Sequence, residues 1–126
     1  MGSRNIINEK RPWGEFYLLA DNEACTVKII KIKGRLSLQS HKLRDEFWYV
    51  VSGRVEVQTG QIKEGELDIK NNLELRMLDE GSFIDIPRNT LHRIASLNGD
   101  ARVLEISRGY FDENDETRYE DDYRRV

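Results

Sequence analysis

Cysteine is almost missing from this 126-residue chain, which contains Cys25 and no other. A single cysteine cannot form a disulfide within the chain, so a small domain held together by its own disulfides is excluded and a cytoplasmic location is favoured. Cys25 lies beside β-branched residues, and we interpret it as a buried structural thiol rather than a reactive one. The first residues, Met-Gly-Ser-Arg, contain no apolar segment of the kind found in a secretion signal.

Long apolar runs and a strong excess of one charge are also missing. Uninterrupted apolar stretches extend over only a few residues, which is too short for a membrane span. The formal net charge of −3 gives no reason to expect nucleic acid or a membrane surface as a partner. With 38% apolar and 34% charged residues, the sequence predicts one domain with a small core beneath a heavily charged surface.

Helical periodicity is the third absence, because no internal segment repeats its apolar residues at the 3.6-residue period of an amphipathic helix. Short apolar runs instead recur roughly every eight to twelve residues, with Gly, Asn or Asp at many breaks. The runs lie at residues 16–19, 25–33, 46–51, 55–58, 73–78, 82–86, 91–95 and 103–106. This pattern predicts an all-β sandwich or barrel.

The two ends of the chain differ from this barrel segment. We expect an N-terminal arm at residues 1–9, a barrel at residues 10–110 and a charged tail at residues 111–126 that packs on or beside the barrel. The tail mixes both signs of charge with Tyr119 and Tyr123. Two interpretations stay open for it: a short solvated helix or irregular segment pinned by the tyrosines, and a lid or partner-binding segment at one mouth of the barrel.

Polar residues that can bind a metal ion occur close together at residues 37–48. Residues two apart in a strand share a face, so Gln39 and His41 point the same way. If a turn at residues 42–45 leads into an antiparallel neighbouring strand, Glu46 converges with them inside the barrel. A buried carboxylate beside an imidazole is costly unless it is paired or binds a cation, which makes a divalent metal an economical solution.

The second and last histidine, His92, lies where it can reach the same point. Pro87 ends a strand, Asn89 suits the turn that follows, and the next strand begins near His92. The alternative interpretation is that Glu46 pairs with a cation at the rim, Arg44 or Lys42, and that both histidines only form hydrogen bonds.

These spacings resemble the two sequence motifs of the cupin superfamily. The matching positions are Gln39, His41, Glu46 and Gly53 in the first motif and Gly81, Pro87 and His92 in the second. Gln39 stands where the first motif usually has His, and Asn89 and Ser96 stand where the second usually has Gly and Asn. The fold that the resemblance implies is a single-domain, all-β cupin, a jelly-roll barrel of about ten strands with a short polar C-terminal tail.

Further segments resemble one cupin family, the type II mannose-6-phosphate isomerases, here expected as a stand-alone domain. These segments are Arg-Pro-Trp-Gly at 11–14, residues 36–41, 44–48, 50–53, 86–87 and 92–94, and the tail with Arg118 and residues 120–125. In many members this module ends a longer chain that also makes GDP-mannose. No glycine-rich phosphate-binding loop precedes the motifs here, so we expect no guanylyltransferase activity.

The resemblance implies a metal-dependent isomerase that interconverts mannose 6-phosphate and fructose 6-phosphate in the cytoplasm. It implies one divalent metal ion, for which zinc is our first choice and manganese, cobalt or nickel also fit. The metal ligands would be Gln39, His41, Glu46 and His92. Arg44 matches the arginine of the family motif and would be catalytic, since its planar fork of donors can hold an enediolate or phosphate oxygen.

A sugar phosphate also needs cationic partners, for which Lys28, Lys33, Arg88 and Arg108 are the candidates. We select Lys33 and Arg88, together with Trp48 as a wall of the sugar pocket, although Trp48 fits core packing equally well. Phe47, Tyr49 and Val51 face away from the metal side and are apolar. A homodimer formed through this outer surface is therefore expected.

Three other functions stay open at this point. The set His41, Glu46 and His92 also suits a non-haem iron enzyme. The chain can instead isomerise or epimerise another sugar, such as a nucleotide-linked one, or bind a sugar without catalysis. Departures from the family pattern bear on the substrate: Ser107-Arg108, Arg124 where Gly is usual, and a long polar stretch at 58–76 that predicts an extended hairpin.

Overall fold

The structure is a computed structural model, and it describes residues 7–22, 24–61, 73–110, 112 and 114–125. Within these residues the chain forms eleven strands and no helix, which confirms the predicted all-β class. The strands are β1 Ile7–Arg11, β2 Gly14–Asp21, β3 Cys25–Ile32, β4 Leu38–Ser40, β5 Arg44–Ser52, β6 Val55–Gln61, β7 Glu74–Leu78, β8 Phe83–Ile86, β9 Thr90–Ser96, β10 Ala101–Gly109 and β11 Thr117–Glu120.

The strands form two antiparallel sheets that pack face to face. One sheet has six strands in the order β1-β2-β3-β10-β5-β8, and the other has five in the order β11-β4-β9-β6-β7. Alternate residues point inward, as Thr26, Ile30 and Ile32 do in β3. The buried core is made of such residues from both sheets, mainly Ile30, Ile32, Trp48, Val50, Val55, Val57, Ile84, Ile86, Ile94 and Val103.

The connection between β4 and β5 differs from the expected hairpin. Strand β4 pairs with β9 and β11, whereas β5 pairs with β10 and β8, so the two strands belong to different sheets. The turn at residues 41–43 therefore crosses from one sheet to the other. The predicted convergence of Gln39 and His41 with Glu46 occurs across the gap between the sheets rather than along one strand pair.

The C-terminal segment adds a strand where a short helix was one expectation. Strand β11 pairs with β4 at the edge of the five-stranded sheet. Arg93, buried on β9, donates to the carbonyl of Leu36 and to the Glu120 carboxylate, at 2.9 and 2.8 Å. Arg35 forms a two-bonded ion pair with Asp122. These contacts fix the segment against the sheet and give Arg93 a structural role.

Three local expectations have different outcomes. Asn89 has a positive φ of 60°, as expected for the turn after Pro87. Arg124 also has a φ of 60°, which explains why Gly is usual at this position of the family. Cys25 is half-buried rather than buried, because its strand ends at the rim of the sheet. Residues 62–72 of the expected extended hairpin lie outside the described residues.

Within the described residues, no helical segment has the length and apolar character needed to cross a lipid bilayer.

Candidate metal centre and cavity

A cavity of about 320 Å³ lies between the two sheets. Strands β1, β2, β3, β5 and β10 supply one wall, whereas β4, β9 and the C-terminal segment supply the other. Among the residues that the structure describes, none from β6, β7 or β8 lines this cavity. The cavity therefore extends from the β5–β9 side of the sandwich toward its other end, where β1, β2, β3 and the C-terminal segment contribute to its lining.

Glu46 and His92 line this cavity, His41 contacts Glu46, and each of the three side chains is only about 3% exposed. The Nε2 atoms of His41 and His92 lie 2.7 and 3.7 Å from Oε1 of Glu46. One ligand atom from each residue can be chosen so that all three lie within 4.8 Å of one another. Two imidazoles and one carboxylate in this arrangement can hold a divalent metal ion.

Hydrogen bonds orient both imidazoles toward Glu46. His41 Nδ1 lies 2.7 Å from the backbone oxygen of Asp115, and His92 Nδ1 lies 2.9 Å from that of Thr90. A backbone oxygen accepts only, so each Nδ1 carries a proton, and in the neutral rings Nε2 presents a lone pair. The His41 Nε2 lone pair would then repel the Glu46 oxygen 2.7 Å away unless a proton or a metal cation lies between them. The donor set therefore fits a metal ion.

The fourth ligand implied by the resemblance, Gln39, lies next to this cluster. It is the cross-strand partner of His92, and its side chain lines the cavity. Its Nε2 donates to the backbone oxygen and to Oγ of Ser37, at 3.4 and 3.2 Å. With the amide nitrogen engaged in this way, the amide oxygen is the atom that Gln39 can offer to a metal.

The guanidinium of Arg44 touches the same cluster. Its Nη2 lies 3.3 Å from His41 Nε2, its Nε lies 3.6 Å from Glu46 Oε1, and its Nη1 donates to the Asp112 carbonyl at 3.3 Å. The side chain is only 8% exposed and lines the cavity. Arg44 therefore presents charged donors directly beside the ligand atoms.

A second carboxyl group, that of Glu105, was not identified from the sequence. Trp48 Nε1 lies 3.1 Å from both Glu46 Oε2 and Glu105 Oε1. Burial, together with the charge of Glu46, raises the pKa of Glu105 well above its usual range. Burial opposes ionisation of Glu46 too, but hydrogen bonds from Glu105 and His41 outweigh it and hold the pKa of Glu46 well below its usual range. The two buried carboxyl groups therefore oppose each other's ionisation, and Glu105 is the one whose neutral form is favoured.

The signal for Glu105 was present in the sequence. Val103 and Ser107 are buried on β10, and the strand alternation puts Glu105 on the same inward face.

Burial also lowers the pKa of the His92 imidazole, which favours the neutral form that binds metals.

The predicted substrate-binding residues are not all brought together. Trp48 is buried, lines the cavity and lies with its ring 5.5 Å from that of His92. Lys33 and Arg88 are exposed and do not line the cavity. Lys33 follows the end of β3, and the backbone N–H and the side chain of Arg88 both contact Asp45. Both residues lie in turns, and the type of residue alone does not reveal that a turn position points away from the cavity.

The C-terminal segment was the other feature that the sequence left open. Asp115 accepts from the backbone N–H groups of Lys42 and Leu43, at 2.9 and 2.8 Å, while its own carbonyl contacts His41. Arg118 and Arg125 from the same segment line the cavity. The segment is therefore part of the site wall and holds the turn that carries His41.

Solved structures are similar to this one over most of the chain. The capsular polysaccharide assembling protein CapF from Staphylococcus aureus aligns with a TM-score of 0.77 at 19% identity, covering 94% of this chain and 33% of CapF. At this identity the similarity concerns the fold alone, and the fold is the expected cupin jelly roll.

Relatives are also found by sequence. Xanthan biosynthesis protein XanB of Xanthomonas campestris pv. campestris is 34% identical over 120 residues, which cover 92% of this chain and 23% of XanB. Mannose-1-phosphate guanylyltransferase ManC of Salmonella typhimurium is 32% identical over 120 residues, covering 92% of this chain and 22% of ManC. The chain thus spans about a quarter of the length of these relatives. The family model described as "Mannose-6-phosphate isomerase C-terminal" matches residues 4–121, and the chain belongs to this family.

Proposed function

We propose that the protein is a metal-dependent aldose–ketose isomerase that interconverts mannose 6-phosphate and fructose 6-phosphate. The observation that carries this proposal is the convergence of His41, Glu46 and His92, two of which line a cavity, in a chain of this family. Because the matched relatives are about four times longer, their own activities do not transfer directly. A cytoplasmic location stays a prediction from the sequence.

The proposed ligands are His41, Glu46, His92 and the amide oxygen of Gln39, with zinc as the first choice of metal. When bound there, a divalent metal supplies Lewis-acid polarisation of the sugar carbonyl and stabilises negative charge at C1 and C2. One carboxylate among four ligands leaves a net positive charge at the centre, which suits this role. Glu105 and Trp48 hold the Glu46 carboxylate in place through their hydrogen bonds.

Arg44 has the position that the chemistry needs. Isomerisation passes through an enediolate, so negative charge develops on oxygen atoms beside the ligands. The Arg44 guanidinium lies within 3.6 Å of both His41 and Glu46. Donors fixed in a largely buried cavity stabilise developing charge far more than donors in water do. The indole of Trp48 forms an apolar wall at the same end.

The size of the cavity bears on the alternatives. Its volume of about 320 Å³ is near the lower end of the range for small-molecule sites. A hexose phosphate suits this volume better than a nucleotide-linked sugar does. A non-catalytic sugar-binding protein would have the same cavity, so only turnover separates that alternative from an isomerase.

Turnover of mannose 6-phosphate tests the proposal directly. We expect metal-loaded protein to form fructose 6-phosphate in a coupled assay, and Arg44→Ala to retain metal but lose about 10²–10³-fold in kcat, because a fixed charged donor is removed. Arg44→Lys is the matched control, since it keeps the charge without the planar fork. Its kcat should lie between those of the wild type and Arg44→Ala. Wild-type protein that binds the sugar phosphate without converting it would favour the non-catalytic alternative.

Metal retention tests the ligand set independently of turnover. His41→Ala and Glu46→Ala should each lose the metal, because removing one of these ligands leaves an incomplete site. Elemental analysis after dialysis measures the content, and Arg44→Ala serves as the control that keeps about one metal ion per chain. Full metal content in both ligand variants would contradict the assignment.

Asp115 should influence the metal without touching it. Its carboxylate holds the backbone of the turn at residues 42–43, and its carbonyl fixes His41. Asp115→Ala removes the two side-chain hydrogen bonds that hold this turn, so the backbone oxygen that fixes His41 loses its support, and metal affinity should fall about 10–100-fold. Asp115→Asn retains an oxygen acceptor, and its metal affinity should therefore fall less than that of Asp115→Ala. Competition with a coloured chelator measures both, and equal affinity in wild type and Asp115→Ala would refute this role.

The expected homodimer concerns the outer face of the six-stranded sheet. Phe83, Tyr49 and Val51 are 63%, 38% and 39% exposed there, and the rings of Phe47 and Phe83 lie 5.7 Å apart. A patch shared by neighbouring strands β5 and β8 suits a two-fold contact with a second copy. Light scattering should give twice the 14.8 kDa chain mass, and Phe83→Glu should give monomers. A wild-type monomer at micromolar concentration would show that this face is not a dimer interface.

A further inference from the structure

Two rows of cross-strand neighbours lead away from the metal ligands, one on the inner face of each sheet. On the six-stranded sheet the row runs from Trp48 on β5 to Glu105 on β10 and then to Lys28 on β3. On the five-stranded sheet it runs from His92 on β9 to Gln39 on β4 and then to Arg118 on β11. All six side chains line the same cavity. Each row thus ends in a cation.

The two rows run in the same direction. They begin opposite each other, since the rings of Trp48 and His92 are 5.5 Å apart. The cavity extends only toward β3 and β11, because no described residue of β6, β7 or β8 lines it. At a strand spacing of about 4.8 Å, Lys28 and Arg118 each lie two strands, or roughly 10 Å, from the start of their row. Both cations therefore occupy the end of the cavity remote from the histidines.

Neighbouring groups position these cations along the cavity wall. Lys28 Nζ lies 4.5 Å from the centre of the Phe16 ring, and the guanidinium carbon of Arg11 lies 5.2 Å from the same centre. Such contacts hold a cation over an aromatic face without neutralising its charge. Arg118 Nε lies 2.8 Å from Glu116, which leaves the two terminal amino groups to offer further donors.

We propose that Lys28 and Arg118 bind the phosphate group of the sugar phosphate, while C1 and C2 of the sugar lie at the metal ligands. A phosphate dianion is recognised by charged donors from more than one direction, and here one donor comes from each sheet. Arg11, which forms an ion pair with Glu9, also lines the cavity at this end. The assignment rests on the proposed function and replaces Lys33 and Arg88, which do not line the cavity.

The test compares binding of mannose 6-phosphate and mannose to metal-loaded protein by calorimetry. We expect Lys28→Met and Arg118→Met each to raise the Kd of mannose 6-phosphate at least about tenfold, as loss of one charge-assisted hydrogen bond does. Binding of mannose should not change. Lys31→Met is the matched control, because Lys31 lies on the same strand with its side chain on the opposite, outer face. The charge-preserving variants Lys28→Arg and Arg118→Lys should recover part of the affinity.

Metal content and circular dichroism show that each variant is folded and loaded. Unchanged mannose 6-phosphate affinity in Lys28→Met and Arg118→Met overturns the assignment, and so does an equal loss of affinity for mannose. Wild-type protein that binds mannose 6-phosphate no more tightly than mannose also overturns it. If binding depends on both cations but the wild type shows no turnover, the phosphate site stands and the isomerase proposal fails. If the wild type shows turnover and neither variant changes it, the isomerase proposal stands and the phosphate site fails.

Discussion

The burial of the Glu46 carboxylate is the constraint on which the rest of the site depends. A carboxylate removed from water between two sheets is strongly destabilising unless charged or donor groups surround it. Here His41, His92, Arg44 and the indole of Trp48 all approach it, and the indole also contacts Glu105. These partners come from both sheets, so the carboxylate also couples the two halves of the sandwich. A divalent cation at this point would satisfy the same charge more completely.

The C-terminal segment makes the site complete although it contributes none of the proposed metal ligands. Its Asp115 holds the sheet-crossing turn and the ring of His41, whereas Arg118 supplies positive charge to the cavity. Strand β11 is itself held by Arg93, a buried arginine on the strand that carries His92. Displacement of this segment would therefore disturb both the orientation of a metal ligand and the charge of the cavity. The orientation of His41 and the charge of the cavity both depend on this one short segment.

The sequence was informative wherever a strand alternates between a buried and an exposed face. Residues 25–33 and 46–51 show this pattern, and they became β3 and most of β5. The inward direction of Glu46 and Trp48 follows from the same alternation, as that of Glu105 would have. Pairing partners could not be inferred in this way, because a turn of a few residues can close a hairpin or cross between sheets. For this reason Gln39 and Glu46 came together by a different route from the one expected. Lys33 and Arg88 failed as cavity residues for a related reason, since residues in turns have no alternation to orient them.

The proposed metal ligands and the proposed phosphate-binding residues differ in how tightly they are packed, and this difference bears on how such a site can change. The proposed ligands lie on or beside β4, β5 and β9, whose neighbouring positions form the buried core, so replacing them disturbs packing as well as chemistry. Lys28 on the inner strand β3 and Arg118 on the edge strand β11 are themselves only half-buried, and both side chains line the cavity. Substitutions there alter charge at modest cost in stability, because half-exposed positions tolerate change. The proposed metal ligands are therefore constrained by the packing of the core, whereas the proposed phosphate-binding residues can vary with less effect on stability.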